Sequence, residues 1–545
     1  MALISGNQLA AKALKAEGIE TIFYLMGGPI NDIILCCQQE GIRTIDVRHE
    51  QGAAMMAHAY GRVSGKPGIC MATSGPGTIN MATGVYNAFM DACPMIAIGG
   101  ASAQNQFGME SFQECDQESL YRPITKASTR ISFTKRIPEQ IATAFRTALT
   151  GKPGPVFLDL PGDVIYGKVE EAEVEFPAKY RTEARPQGDP TLIAEAVQTL
   201  LAAERPLILA GSGVLWSKAS EELQQLVDLT GIPFYTTPLA RGIVPEDHPR
   251  CFTAARSFAF READALLVIG TRFNLILAFG RPPRFNPAAR VIMVNIDPTE
   301  IGHNRPVDLG IVGDAKAVLR QLLEEGEGKP WGAKYLSWVN TLKQEDEDHW
   351  KEAEPLMTSD AVPIHPLRLC NEVQQFLRRD AILVVDGHEI LNFGRQSIST
   401  YTPGHRLNSG VTGCMGVGVP FGLGAKAAKP DKQVLVLHGD GSFGLNCMEI
   451  DTALRHNLPV VVVISNNGGW TAVEKGMDKP GRDLGFSRYD KMFEAVGAYG
   501  EYVERPEQIR PALERAFAAG RAAVVNVRVD ETARSSTARF SFYRM

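Results

Sequence analysis

No apolar run in the 545 residues reaches the ~20 needed to cross a bilayer, so a membrane-spanning role has no support. Lysine and arginine never gather into a long cluster, and the formal net charge of −6 offers nucleic acid no electrostatic footprint. The nine cysteines contain no CxxC spacing. Adjacent Cys36-Cys37 reads as packing, and reduced thiols in a cytoplasmic protein are the expectation. The first twenty residues read as an amphipathic helix of mixed charge, not as a signal peptide. The closing Tyr543-Arg544-Met545 is not a peroxisomal address of the SKL kind. Gly211-Ser212-Gly213 lacks the third glycine of a dinucleotide fingerprint, so nicotinamide binding gains little. What is present is the composition of a soluble globular chain, 44% hydrophobic and 22% charged, long enough for three or four domains with sizeable cores.

The most informative stretch is Val434–Trp470. Val434–His438 is an apolar run expected to be a buried parallel strand, and Gly439-Asp440-Gly441 then turns the chain. Met448–Asn457 reads as a helix broken by Pro459, and Val460–Ser465 as a second strand leading into Asn466-Asn467-Gly468-Gly469. A right-handed crossover puts both loops at the carboxyl edge of neighbouring strands, where ligands bind in open α/β sheets. Asp440 offers a carboxylate, Asn467 a side-chain carbonyl and Gly469 a backbone oxygen. Three such hard oxygens, with room for phosphate, suit octahedral Mg²⁺. Gly439, Gly441 and Ser442 let a diphosphate approach the backbone at a helix N-terminus.

Helix and strand signals alternate through the first third, with a Gly-Pro turn at Gly28-Pro29 and a second turn at Thr73-Ser74-Gly75. The expected strands are Thr21–Leu25, Ile42–Val47, Gly68–Ala72, Met95–Ile98 and Gly154–Pro161. Arg48-His49-Glu50-Gln51 sits between a strand and an Ala-rich helix, so Glu50 lies at a strand's carboxyl end. In the middle third, Leu207–Ala210, Ala265–Ile269 and Val291–Asn295 read as strands, with a helix running to Leu226. Arg272 and Asn274 are either solvated loop residues or contacts for a nucleotide. His388 follows the strand Ile382–Val385 as either an acid–base group or a structural histidine. The expected organisation is three doubly wound parallel α/β sheets, in domains spanning residues 1–165, 190–345 and 360–545.

With its GDG and NN pair separated by Ser442–Ser465, the RHEQ run and the TRFN…LAFG segment, the whole chain resembles the thiamine-diphosphate decarboxylase/carboligase superfamily. It is closest there to the 2-hydroxyacyl-CoA lyases and oxalyl-CoA decarboxylases. The resemblance implies thiamine diphosphate and Mg²⁺ as cofactors, the latter on Asp440, Asn467 and Gly469. Glu50 would act on the aminopyrimidine, Met415 would wedge the cofactor into its bent form, and the turns at Gly28-Pro29 and Ser74-Gly75 would border it. It also implies Arg395 near CoA phosphates, ADP or a CoA nucleotide at the central domain, and a C-terminal lid carrying Phe540, Phe542 and Tyr543.

Phe112-Gln113-Glu114 looks like the lyases, where oxalyl-CoA decarboxylases carry Tyr-Glu-Glu. The expected reaction is therefore reversible cleavage of a 2-hydroxyacyl-CoA to formyl-CoA and an aldehyde or ketone, through a C2 ylid. The alternatives are oxalyl-CoA decarboxylation, or carboligation without CoA as in acetohydroxyacid synthases or benzaldehyde lyase. Two departures stand: GDGSFGLN where the CoA families show GDSAFGFS, and NNGGW where a tyrosine is common. A homodimer is the minimum assembly the resemblance implies, and a homotetramer the fuller expectation.

Overall fold

The computed structural model describes residues 2–474 and 479–535. Three parallel sheets follow one another along the chain. A two-stranded antiparallel ribbon, β1 (Leu3–Ser5) against β8 (Lys168–Glu170), ties the start of the first unit to its end. The first sheet contains β2 (Thr21–Tyr24), β3 (Arg43–Asp46), β4 (Gly68–Ala72), β5 (Met95–Ala101), β6 (Ala127–Arg130) and β7 (Pro155–Pro161), in the order β3-β2-β4-β5-β7-β6. The central sheet has β9 (Pro206–Ala210), β10 (Phe234–Thr236), β11 (Ala265–Ile269), β12 (Arg290–Asn295) and β13 (Leu309–Val312), in the order β10-β9-β11-β12-β13. The last has β14 (Ile382–Asp386), β15 (Arg406–Leu407), β16 (Val434–Gly439), β17 (Val461–Asn466), β18 (Tyr499–Val503) and β19 (Ala523–Arg528), in the order β15-β14-β16-β17-β19-β18. Among the described residues no helix is long and apolar enough to cross a membrane.

The first and last sheets share one topology. Each has its first and third strands side by side, with the chain winding away from that pair in opposite directions. Such a pair is a topological switch point, where a crevice opens at the carboxyl edge. The helix after the second strand of each unit, Glu50–Ser64 in one and Gly418–Ala428 in the other, packs against its counterpart. The crossing is close because small residues allow it: a Cβ on Gly424 would fall 2.2 Å from the carbonyl oxygen of Met56. One apolar core consequently runs through both units, joining Phe23, Met55 and Met56 to Phe421, Val436 and Ile464. The central sheet buries a core of its own.

Several elements differ from expectation. Asp440 does not lie in a turn: β16 runs to Gly439 and a helix begins at Asp440 itself, spanning Asp440–Asn446. The expected single helix over Met448–Asn457 is the shorter Glu449–Arg455. The helix expected to run to Leu226 is two, Ser212–Trp216 and Ser220–Thr230.

Candidate active site

The switch point of the last sheet holds a cavity of about 650 Å³. Its walls come from the loop after β14 (Gly387, His388), the start of the Asp440 helix, the loop after β17 (Asn467, Gly469) and Met415. Asp440 is 2% exposed, and its Oδ2 has no hydrogen-bond partner. Burial pushes this carboxyl up to about 7, although backbone N–H groups and Arg482 pull the other way. An unsatisfied buried carboxylate beside an open cavity is a place for a cation. Asn467 donates its amide to the carbonyl of Thr471 at 3.0 Å, which leaves the side-chain oxygen as the acceptor.

The backbone there admits no side chains. A Cβ on Gly469 would fall 2.1 Å from the carbonyl of Arg482, and one on Gly441 would fall 2.7 Å from the Trp470 ring. Arg482 ties the loop down, donating to the carbonyl oxygens of Asn467 and Thr471, each at 2.9 Å. Ser442 is 2.9 Å from His438 Nδ1, fixing the first helical turn from below. No group of three or more His, Cys, Asp or Glu able to hold a metal occurs among the described residues. A divalent ion here would rest on one carboxylate, one amide oxygen and one backbone oxygen, leaving positions for phosphate and water. That donor set fits Mg²⁺.

A second group of residues gathers at the matching switch point of the first sheet. Thr73 Oγ1 donates to the carbonyl of Gly28, joining the Gly28-Pro29 turn to the Ser74-Gly75 turn. Ser74 Oγ donates to Gln113 Oε1 at 3.1 Å, so the Phe112-Gln113 loop lies on the same turn, with Phe112 86% exposed. Glu114 points elsewhere, its carboxylate accepting from Ser111 N at 3.0 Å within the loop. Glu50 opens the helix Glu50–Ser64 and is 7% exposed; its Oε2 accepts from Asn80 Nδ2 at 3.0 Å. Gly77 gives it room, since a Cβ there would stand 3.2 Å from Glu50 Oε1. Glu50 does not line the cavity that Asp440 lines in the same chain.

The remaining expectations fare differently. Arg272 and Asn274 line a larger cavity of about 910 Å³ where the first and central units meet, with Gly410 and Val411 of the last unit closing it, but both side chains are engaged within the chain. Arg272 donates to the carbonyl of Met90 and faces Glu300 at 3.6 Å, while Asn274 accepts from Ile276 N at 3.1 Å as a local cap. The Asp91 carboxylate and Trp216 Nε1, which sequence reading missed, belong to residues lining that cavity and make no hydrogen bond among the described residues. Arg395 stands outside the Asp440 cavity, near the end of the helix Glu389–Ser397, which starts at that cavity's wall beside His388. His388 lies 3.5 Å from Glu389.

Arg256 and Arg284 of the central unit lie within electrostatic reach of Arg395, and the Nε of each of the three is buried without a partner. Burial, then repulsion from Arg284, Arg395 and Arg241, pushes Arg256 down to about 9; burial, then repulsion from Arg241 and Arg284, pushes Arg395 down to about 10. No sequence signal marks Arg256, and Arg284 lies in the Pro282-Pro283-Arg284-Phe285 run with nothing to join it to Arg395, because the cluster forms only when two units meet. Phe540, Phe542 and Tyr543 lie outside the described residues.

Two like-wound sheets, one with a buried carboxylate beside close-packed glycines and the other with a buried glutamate opening a helix, are the arrangement of a ligand site divided between two α/β units. The chain belongs to the thiamine pyrophosphate enzyme family. It matches the N-terminal TPP binding domain over residues 4–120, the central domain over 193–322 and the C-terminal TPP binding domain over 391–527. It is 33% identical to 2-hydroxyacyl-CoA lyase 1 of Homo sapiens, covering 97% of this chain and 95% of that protein. It is 36% identical to the acetolactate synthase large subunit IlvG of Mycobacterium tuberculosis, over 96% and 95%. Oxalyl-CoA decarboxylase of Escherichia coli is 33% identical over 97% and 96%.

Proposed function

We propose that the protein is a thiamine-diphosphate- and Mg²⁺-dependent 2-hydroxyacyl-CoA lyase, releasing formyl-CoA and an aldehyde or ketone. The observation that carries the choice of a CoA substrate is the gathering of Arg256, Arg284 and Arg395, each with a buried Nε that has no partner, and Arg256 and Arg284 both over the Phe260 ring. Half-buried arginines with unused Nε donors suit a multiply charged anion, and phosphate groups match the fork of donors a guanidinium offers. From His388 at the cavity wall, the helix carries Arg395 ~10 Å away, a distance an extended thioester arm spans.

In this reading Asp440, Asn467 and the carbonyl of Gly469 hold Mg²⁺, while Gly439, Gly441 and Ser442 receive the diphosphate. Glu50 holds or gives a proton at the aminopyrimidine nitrogen, and Met415 sets the bend between the two rings. Gly28, Pro29, Ser74 and Gly75 close the pyrimidine side, and Phe112 with Gln113 keeps water from the acyl group. The bound cofactor supplies the nucleophilic carbon and the electron sink; the chain orients, excludes water and moves the proton. Glu50 serves a cofactor held by a second subunit, so the working unit is at least a dimer. The 910 Å³ cavity takes an adenine nucleotide, ADP or part of CoA.

The test is release of formyl-CoA from a panel of 2-hydroxyacyl-CoAs by the purified protein with thiamine diphosphate and Mg²⁺. Carbon dioxide from oxalyl-CoA, or acetolactate from pyruvate, with no formyl-CoA from any hydroxyacyl thioester, would move the assignment to the corresponding relative.

A further inference from the structure

A carboxylate from the last unit sits beneath the turn that delivers Glu50. Glu449 is 1% exposed, and its Oε1 accepts from the backbone N–H groups of Arg48 and His49, each at 3.1 Å. Its Oε2 accepts from Thr452 Oγ1 at 2.7 Å and from Arg48 N at 3.2 Å. Both N–H groups belong to the residues just before Glu50, where the chain bends into the helix and has no ladder to bind them. Gly52 makes the approach possible: a Cβ there would lie 2.5 Å from Glu449 Oε1. Burial pushes this carboxyl up to about 7, against the pull of its donors. Burying an acid at a domain junction is costly where an apolar side chain would pack as well, so its retention needs a reason in what it holds.

We propose that Glu449 is a positioning residue for Glu50: it pins the Arg48-His49 backbone so that the Glu50 carboxyl presents one fixed orientation to the cofactor. The proposal rests on the reading of Glu50 as the acid at the aminopyrimidine. Among the described residues the Glu50 side chain itself bonds only Asn80, so its direction depends on how firmly the Arg48-His49 backbone is held; besides Glu449, the only side-chain holds on that turn are the His49 cap on Gln51 N and the half-exposed Arg48–Asp451 pair. Glu449 opens the short helix immediately after the one that begins at Asp440. A single segment thereby carries the phosphate end of one site and sets the acid that serves another.

The test follows exchange of the C2 hydrogen of enzyme-bound thiamine diphosphate with deuterated solvent, by rapid quench and NMR, in the absence of any thioester. Glu449→Ala is expected to slow exchange about 10- to 100-fold while Mg²⁺-dependent cofactor affinity stays within about twofold. Glu449→Gln, whose amide oxygen still accepts from Arg48 and His49, should stay within about threefold of the parent rate. Gly52→Ala, which crowds Oε1, should slow exchange as Glu449→Ala does, and it decides the matter if Glu449→Ala fails to fold. Parental exchange in Glu449→Ala, or equal slowing in the Gln and Ala variants, overturns the proposal. Glu50→Gln separates the two readings: parental exchange in that variant sinks the role of Glu50 itself, whereas loss there with parental exchange in Glu449→Ala sinks only Glu449.

Discussion

Two buried aspartates show how differently one side chain is used at different places in this chain. Asp440 faces a cavity whose other candidate donors are neutral oxygens, and its Oδ2 has no hydrogen-bond partner among the described residues. Asp440→Ala should raise the dissociation constant for thiamine diphosphate with Mg²⁺ by about 100-fold or more in equilibrium dialysis; unchanged retention would remove it from the metal site. Asp91 has no such use in the family reading. It is fully buried, burial pushes its carboxyl up to about 7 despite Arg62 and Arg272, and its 3.5 Å neighbour His58 is held neutral by the same burial. The unfolded chain would titrate this group near 3.8. Its stabilising protonated form is therefore intact below about pH 4 and lost as the pH rises towards 7. Asp91→Asn should match the parent in stability near pH 4 and exceed it by about 2–4 kcal/mol at pH 8, read from denaturant melts. A constant offset across that range would show that the carboxyl does not titrate in the fold.

At the scale of the element, the chain was readable wherever a strand is covered on both sides. Gly68–Ala72 and Ala265–Ile269 are buried at every residue and stand out as unbroken apolar runs. The strands that pattern reading missed within the three sheets, β6, β10, β13, β15 and β18, all form an outer rim of their sheet. A rim strand needs apolar residues on one side at most: Ala127–Arg130 is half-buried throughout, and so is most of Tyr499–Val503. The helix Glu389–Ser397 shows the complementary limit. Its first turn and Arg395 were legible, but Arg256 and Arg284 come from another sheet, and no local pattern joins them. Arg256→Ala or Arg395→Ala should raise KM for an acyl-CoA about 10- to 100-fold with kcat little changed. The same variants should treat the acyl-pantetheine thioester, which lacks the nucleotide phosphates, as the parent does. An equal loss on both substrates would mean that the cluster supports the fold and not the phosphates.

For the molecule as a whole, the repeated topology explains why the candidate site is split. Glu50 and Asp440 stand at the carboxyl edges of two like sheets that pack through their helices, and one chain does not bring both to the same cavity. Spacing in the sequence revealed each residue but not this separation, which depends on how the sheets are turned. If two chains complete each site, mixing Glu50→Gln and Asp440→Ala subunits should restore about a quarter of the parental activity, since half of randomly formed dimers regain one intact site of two. No recovery on mixing would place both residues in a site of one chain. The ribbon of β1 on β8 has a further consequence, for the order of events during synthesis. Leu3–Ser5 cannot find its partner until Lys168–Glu170 has been made, which at roughly 5–20 residues per second leaves it waiting on the order of ten seconds or more. The first unit is thus latched by its last-made piece, and a nascent chain halted before that point would carry an unpaired edge open to chaperones.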